Sequence, residues 1–218
     1  MFTSAALRLF RKDSGGSSDE QQITKGPNAQ VATDWSRDGR VLIYQESTPG
    51  TQSDLWTLPF TQQGRVPENA KPTPYLRTEF NESSARFSPE PSPRRVAYQS
   101  DETGRYEIYI RAFPEPRDKF PISTGGGQYP EWGGNGREIL YVAPDNKLMA
   151  VDLTITADKV RPATRALFTL PILENGYSPY NTIDGQRFLV RAVPQQASPP
   201  LAVIVNWPAL LKKGAGAQ

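Results

Sequence analysis

Whatever chemistry this chain performs, it performs without imidazole or thiol groups. Its 218 residues include no histidine and no cysteine. A Ser-His-Asp triad, a Cys-His pair, a His- or thiolate-bound metal and a disulfide are therefore all excluded. No GxxxxGK[ST] phosphate loop occurs, and neither do the catalytic HRD and magnesium-binding DFG motifs of a kinase, nor a Gly-rich loop leading to a strand lysine. A catalytic role would have to rest on carboxylates, lysines or tyrosines alone. The expectation is a non-enzymatic chain with no catalytic residue, no metal and no cofactor.

The residues that could still bind something are few. Gly125-Gly126-Gly127 invites a phosphate-cradle reading, but Tyr129-Pro130-Glu131-Trp132 follows, which reads as a strand rather than a helix N-terminus. A loop crossing between structural units is the expected meaning. Asp38, Asp101, Asp145 and Asp184 each stand beside turn residues, where an Asx turn explains them without a ligand. Calcium would want several oxygen donors at close alternating spacing. Asn81-Glu82-Ser83 fits a glycosylation triplet that chance readily produces. Trp35, Phe87 and Trp132 hold matched positions in a repeat, which points to packing in the core. Glu79, Asn81, Arg86, Gln128 and Glu131 fall near the entrances of the expected inner strands and are the candidate lining of a central funnel.

The repeat that positions these residues is clearest in WGGNGREILYVAPDNKLMAVDL, residues 132–153. Asn135-Gly136 is a favoured hairpin turn, and Ile139, Leu140, Tyr141 and Val142 make a β-branched and aromatic run suited to a buried strand. Asp145-Asn146 turns the chain again. The pattern returns as WSRDGRVLIYQ from Trp35 and YNTIDGQRFLV from Tyr180. A fourth copy, FSPEPSPRRVAYQ from Phe87, has Pro-rich residues lengthening the turn by two. Tyr44, Tyr98, Tyr141 and Val190 recur at intervals of 54, 43 and 49 residues. Several short strands repeating at this period are the signature of β-propeller blades, each of which buries its faces only against its neighbours.

The fold class is thus expected to be all-β: a propeller of about four four-stranded antiparallel blades. Residues 1–30 read as the outer strands of an incomplete blade. Blades follow at 31–76, 83–122 and 129–170, then an incomplete last blade at 180–207 and a tail at 208–218. Beginning with outer strands and ending with inner ones would let the termini complete one blade together, with residues 21–24 on its edge. Four blades is the small end of the known range, so a partial arc belonging to a longer propeller is the favoured expectation. Such an arc exposes sheet edges and apolar faces, which predicts self-association.

Composition agrees with this class. Hydrophobic residues make up 37% of the chain, including 9 Tyr, 9 Phe and 4 Trp, enough for a β-rich core. The 17 Gly and 21 Pro are spread through the sequence as many turns require. A net charge of +2 is too small to advertise nucleic acid. No apolar run reaches the length of a membrane span, and the N-terminal stretch lacks the basic region of a signal peptide.

The blade motifs WSRDGRVLIYQ, FSPEPSPRRVAYQSDETGRYEIYIRAFP, STGGGQYPEW, GREILYVAPDNKLMAV and DGQRFLV resemble the TolB-like, WD-repeat-like propellers found C-terminal to bacterial serine/threonine protein kinases. The resemblance runs from about Arg11 to Lys212. It implies a sensor or interaction module binding a protein or peptide partner, on the outer side of the cytoplasmic membrane. The rival readings are the gating propeller of an α/β-hydrolase peptidase and a stand-alone carbohydrate- or small-ligand-binding propeller.

Overall fold

The computed structural model describes residues 7–16, 19–50, 52–133, 136–155, 160–171, 178–182 and 184–192. Asn135, the strand expected at 201–206 and the tail at 208–218 lie outside them. All regular structure among the described residues is β, and no helix there is long and apolar enough to cross a membrane.

Three complete blades follow one another. The first is β3 (Gln30–Trp35), β4 (Val41–Thr48), β5 (Gln52–Pro59) and β6 (Thr73–Leu76), after a small ribbon of β1 (Phe10–Arg11) and β2 (Gln21–Gln22). The second is β7 (Glu82–Phe87), β8 (Arg95–Ser100), β9 (Glu107–Ala112) and β10 (Phe120–Pro121). The third is β11 (Gln128–Trp132), β12 (Glu138–Val142), β13 (Lys147–Ile155) and β14 (Val160–Thr169). A two-stranded sheet of β15 (Tyr180–Thr182) and β16 (Phe188–Val190) begins a fourth. Every pairing is antiparallel. The chain is a partial propeller. Among the described residues β2 pairs with β1, and the outer edge of the last blade, to which residues 21–24 are expected to add, lies outside them.

The inner hairpins share one construction. Gly39, Gly136 and Gly185 all adopt φ near +70°, the left-handed conformation that only glycine enters without penalty. In the first blade the Ser36 hydroxyl accepts the amides of Arg40 (3.2 Å) and Val41 (2.9 Å). In the second, Ser88 does the same for Arg94 (3.2 Å) and Arg95 (3.1 Å). The Pro91-Ser92-Pro93 insertion therefore lengthens the loop while the serine clasp at its base stays closed. Asn146 takes φ +61° in the Asp145-Asn146 turn.

Alternation along the second strands sends side chains to opposite blade faces. Val96 and Tyr98 point back to the first blade, where they meet Ile43, Leu55, Tyr75 and Leu76. Ala97 points forward and joins Trp132, Ile139 and Tyr141 of the third blade. Leu140 and Val142 repeat the forward position against Tyr180, Phe188 and Val190. Leu42, Tyr44, Leu58 and Phe60 point back to Leu9 and Ile23 of the N-terminal ribbon. Four apolar seams between consecutive sheets thus make up the core.

Candidate functional site at the propeller axis

The first strand of each blade is bulged. Register slips between Ala32 and Asp34, between Ser83 and Arg86, and between Gln128 and Glu131. Ser84 (φ +52°) and Tyr129 (φ +56°) sit in the left-handed region within two of these bulges. Each bulge residue is held by the preceding blade: Gln45 Oε1 accepts the Ser84 amide at 3.3 Å, and Gln99 Oε1 accepts the Tyr129 amide at 2.9 Å. A bulge re-aims the side chains that follow it. Downstream of it, Asp34, Arg86 and Glu131 lie opposite Ile43, Ala97 and Leu140, and Asn181, in a β15 paired without a bulge, lies opposite Leu189. They are the same position in four successive inner strands.

These four residues line one pocket of about 360 Å³ at the axis, with Thr33, Phe87, Pro89, Trp132 and Thr182. Arg86 is its centre. Its Nε donates to Glu131 Oε1 at 2.8 Å, and its Nη1 donates to the carbonyls of Thr33 and Ala85, so one guanidinium ties three blades together. Asp34 Oδ2 accepts the Phe87 amide at 2.7 Å, Asp34 Oδ1 accepts the Trp35 amide at 2.8 Å, and Trp132 Nε1 donates to the Arg86 carbonyl at 3.0 Å. Burial pushes the Asp34 and Glu131 carboxyls above the usual carboxylate range, and the Arg86 charge offsets part of that rise. The pocket holds two carboxyls against one guanidinium, with the neutral Asn181 amide beside them. It is suited to hydrogen-bonding a polar segment.

The sequence-expected funnel residues divide among three places. Arg86 and Glu131 meet in the axial pocket. Asn81 stands before β7, where its amide nitrogen donates to Asp101 Oδ2 (2.6 Å) and Gln52 Oε1 (2.7 Å). Glu79 is exposed in the same loop. Gln128 lines a smaller pocket of about 170 Å³ with Tyr129, Pro144 and Pro179. Asp34 and Asn181 escaped the sequence reading although Asp34-Trp35 is the counterpart of Arg86-Phe87 and Glu131-Trp132. Only the shared position before the aromatic residue could have signalled Asp34.

The matched aromatic residues require a correction. Phe87 and Trp132 are 5% and 8% exposed, but Trp35 is 40% exposed. Phe87 and Trp132 pack against the blade before their own. Among the described residues the β1–β2 ribbon covers the outer part of the first blade's backward face, and the Trp35 ring lies tilted against Phe60 at 4.5 Å.

The glycine run is structural. The Gly126 amide donates to Glu107 Oε1 at 2.8 Å, and a Cβ there would lie 2.5 Å from Pro144 Cγ. A Cβ on Gly127 would stand 2.8 Å from Ser123 Oγ and 2.9 Å from Ile108 Cγ1. At Gly126 and Gly127 the chain crosses between blades too closely for a side chain, whereas Gly125 has open space around it. Among the described residues no group of three acidic, histidine or cysteine side chains is arranged to hold a metal.

No family model matches this sequence, and no curated protein matches it. Solved structures do. A structure described as TolB from Agrobacterium tumefaciens superposes with a TM-score of 0.50 at 16% identity, covering 68% of this chain and 53% of that one. TolB from Acinetobacter baumannii gives 0.53 at 12% identity, over 71% of this chain and 37% of that one. The matched chain thus spans about half of one TolB and less of the other. At these identities the likeness concerns fold alone, and with the blade construction above it shows that the chain is a partial β-propeller, the fold it shares with those structures.

Proposed function

We propose that this chain is a non-catalytic binding module that receives a polar segment of a protein or peptide partner at the propeller axis. The observation that carries the reading is the matched set Asp34, Arg86, Glu131 and Asn181. Four consecutive inner strands present hydrogen-bonding side chains to a single pocket, while apolar side chains occupy the seams between blades. Concave sites with a few convergent polar groups are the usual binding places of such folds. The resemblance of the blade motifs supports a finer form, in which the module is the sensory or scaffolding part of a bacterial kinase-type protein and lies outside the cytoplasmic membrane. Kinase motifs and a membrane span encoded upstream in the same reading frame would support that form, and a hydrolase domain downstream would count against it.

The test is selection of displayed peptides on the immobilised chain, with every enriched peptide re-measured on Asn181→Ala and Glu131→Gln. Asn181 is exposed and its truncation leaves the fold intact. The reading expects binding to weaken about tenfold when a buried hydrogen bond is lost. Peptides that bind both variants as they bind the parent would place the function elsewhere.

A further inference from the structure

The axial pocket says more about its occupant than that it is polar. Its lining carries three charged groups, the Asp34 and Glu131 carboxyls and the Arg86 guanidinium, and the other lining side chains are neutral. Arg37 donates to the Pro89 carbonyl at 3.3 Å but is exposed and stands outside the lining. With both carboxyls ionised, the described lining has one negative charge in excess.

The placement of the one cation decides where that excess falls. Arg86 gives its Nε to Glu131 Oε1 at 2.8 Å and its Nη1 to the carbonyls of Thr33 and Ala85. Among the described residues none of its hydrogen bonds reaches Asp34, which it attracts only through space. Asp34 is held by backbone amides alone, Phe87 at 2.7 Å and Trp35 at 2.8 Å. Each of its oxygens keeps a further lone pair. A half-buried carboxylate with neutral donors and no bonded cation gains most from a cation brought beside it, because a charge-assisted hydrogen bond is roughly twice as strong as a neutral one. The neighbouring groups agree in sign. Thr33 Oγ1 spends its proton on the Ile43 carbonyl at 3.1 Å, so toward a ligand it can only accept, and Asn181 can present its amide oxygen. The volume of about 360 Å³ is at the small end of ligand pockets, which suits one side chain rather than a folded segment.

We infer that the axial pocket takes a cationic side chain, a lysine or arginine of the partner segment, which pairs with Asp34 as Arg86 pairs with Glu131. The inference rests on the binding reading above and adds the sign of the charge to it. Two carboxyls then face two cations, and the filled pocket is neutral. An anionic group would meet the excess negative charge, and an apolar one would leave Asp34 without a cation.

The test starts from the displayed peptides that Asn181→Ala weakens, since those occupy the pocket. Each lysine or arginine in them is replaced in turn by norleucine. One replacement per peptide should weaken binding to the parent about tenfold or more, and the same replacement should matter much less on Asp34→Asn, which lacks the charge. Asp34→Asn also alters the acceptor of the Phe87 and Trp35 amides, so the parent chain is titrated separately with N-acetyl-lysine methylamide and its arginine, norleucine and glutamate counterparts. Nuclear magnetic resonance at those two amides reads the result. The lysine or arginine compound should shift them saturably, and the norleucine and glutamate compounds should not. Pocket-bound peptides that tolerate norleucine at every cationic position would overturn the inference and leave the binding reading standing. So would a glutamate compound that shifts the amides as far as the lysine one, or four compounds that all leave them unmoved. Peptides indifferent to Asn181→Ala and Glu131→Gln alike would remove the binding reading itself, and this inference with it.

Discussion

Glu82 opens the second inner strand with its side chain almost fully buried. Thr78 donates a hydrogen bond to Oε1, and Oε2 has no hydrogen-bond partner. Burial first, and the nearby Asp54 and Asp101 charges besides, push its carboxyl up to about 7, with the Thr78 bond pulling the other way. The folded chain therefore holds a proton on Glu82 over a window where the unfolded chain, near 4.5, has lost it. The stabilisation from this group is complete below the unfolded value and is lost as pH rises through about 7. Glu82→Gln keeps an acceptor for Thr78 and cannot ionise. Its Tm should exceed the parent's by about 2–4 °C at pH 8 and converge with it near pH 5. An equal gain at both pH values would show that the ionised carboxylate is no burden. Arg86 has the opposite character, since its charge is what the axial carboxyls lean on. Arg86→Met should cost about 2–4 kcal/mol in a urea melt, because it leaves Glu131 and Asp34 without their cation. Glu131→Gln, which keeps an acceptor for Arg86 Nε, should cost less than half of that.

At the scale of strands and loops, the blades are registered by side chains that reach across the seams. Gln99 is buried, donates to Ser83 Oγ at 3.0 Å and accepts the Tyr129 amide at 2.9 Å. Gln99→Leu preserves size and removes both bonds, stranding an amide in a strained left-handed residue. A loss of about 1–3 kcal/mol follows from that unpaired donor. Gly127→Ala should be of similar severity for a steric reason, because Ser123, Ile108 and Tyr141 together surround the added methyl. Gly125→Ala, with open space around its Cβ, is the control expected to melt near the parent. These two kinds of feature also mark how far the sequence could be read. The hairpins were legible because glycine at a positive φ followed by Ile139-Leu140-Tyr141 leaves a local trace. The bulges were not, since Ser84 and Tyr129 are ordinary residues forced into unusual backbone by a glutamine from the neighbouring blade. The axial set inherited that blindness. Arg86 and Glu131 could be suspected from strand position, but Asp34 becomes a lining residue only once the bulge turns it inward. Trp35 fails in the same way, because its burial depends on what packs against the first blade and not on its own strand.

The whole molecule is a stack in which each sheet touches only its neighbours, so local stability should follow position in the stack. The second blade is covered on both faces and contributes Ala97, Ile108 and Ile110, all fully buried. Among the described residues the β15–β16 hairpin is covered on one face, by the seam around Tyr180, and presents Leu189 on the other. Native-state hydrogen exchange on dilute chain should therefore show protection falling from β8 and β9 toward β16. The slowest amides would report global unfolding, and those of β16 would open on a much smaller free energy. Raising the concentration separates two sources of order. If protection of β16 rises with concentration while that of β8 stays constant, the end of the stack is being covered by another molecule, because only a bimolecular contact responds to mass action. If β16 is as protected as β8 even at high dilution, its open face is covered within a single chain, and the gradient expected of an open stack is wrong.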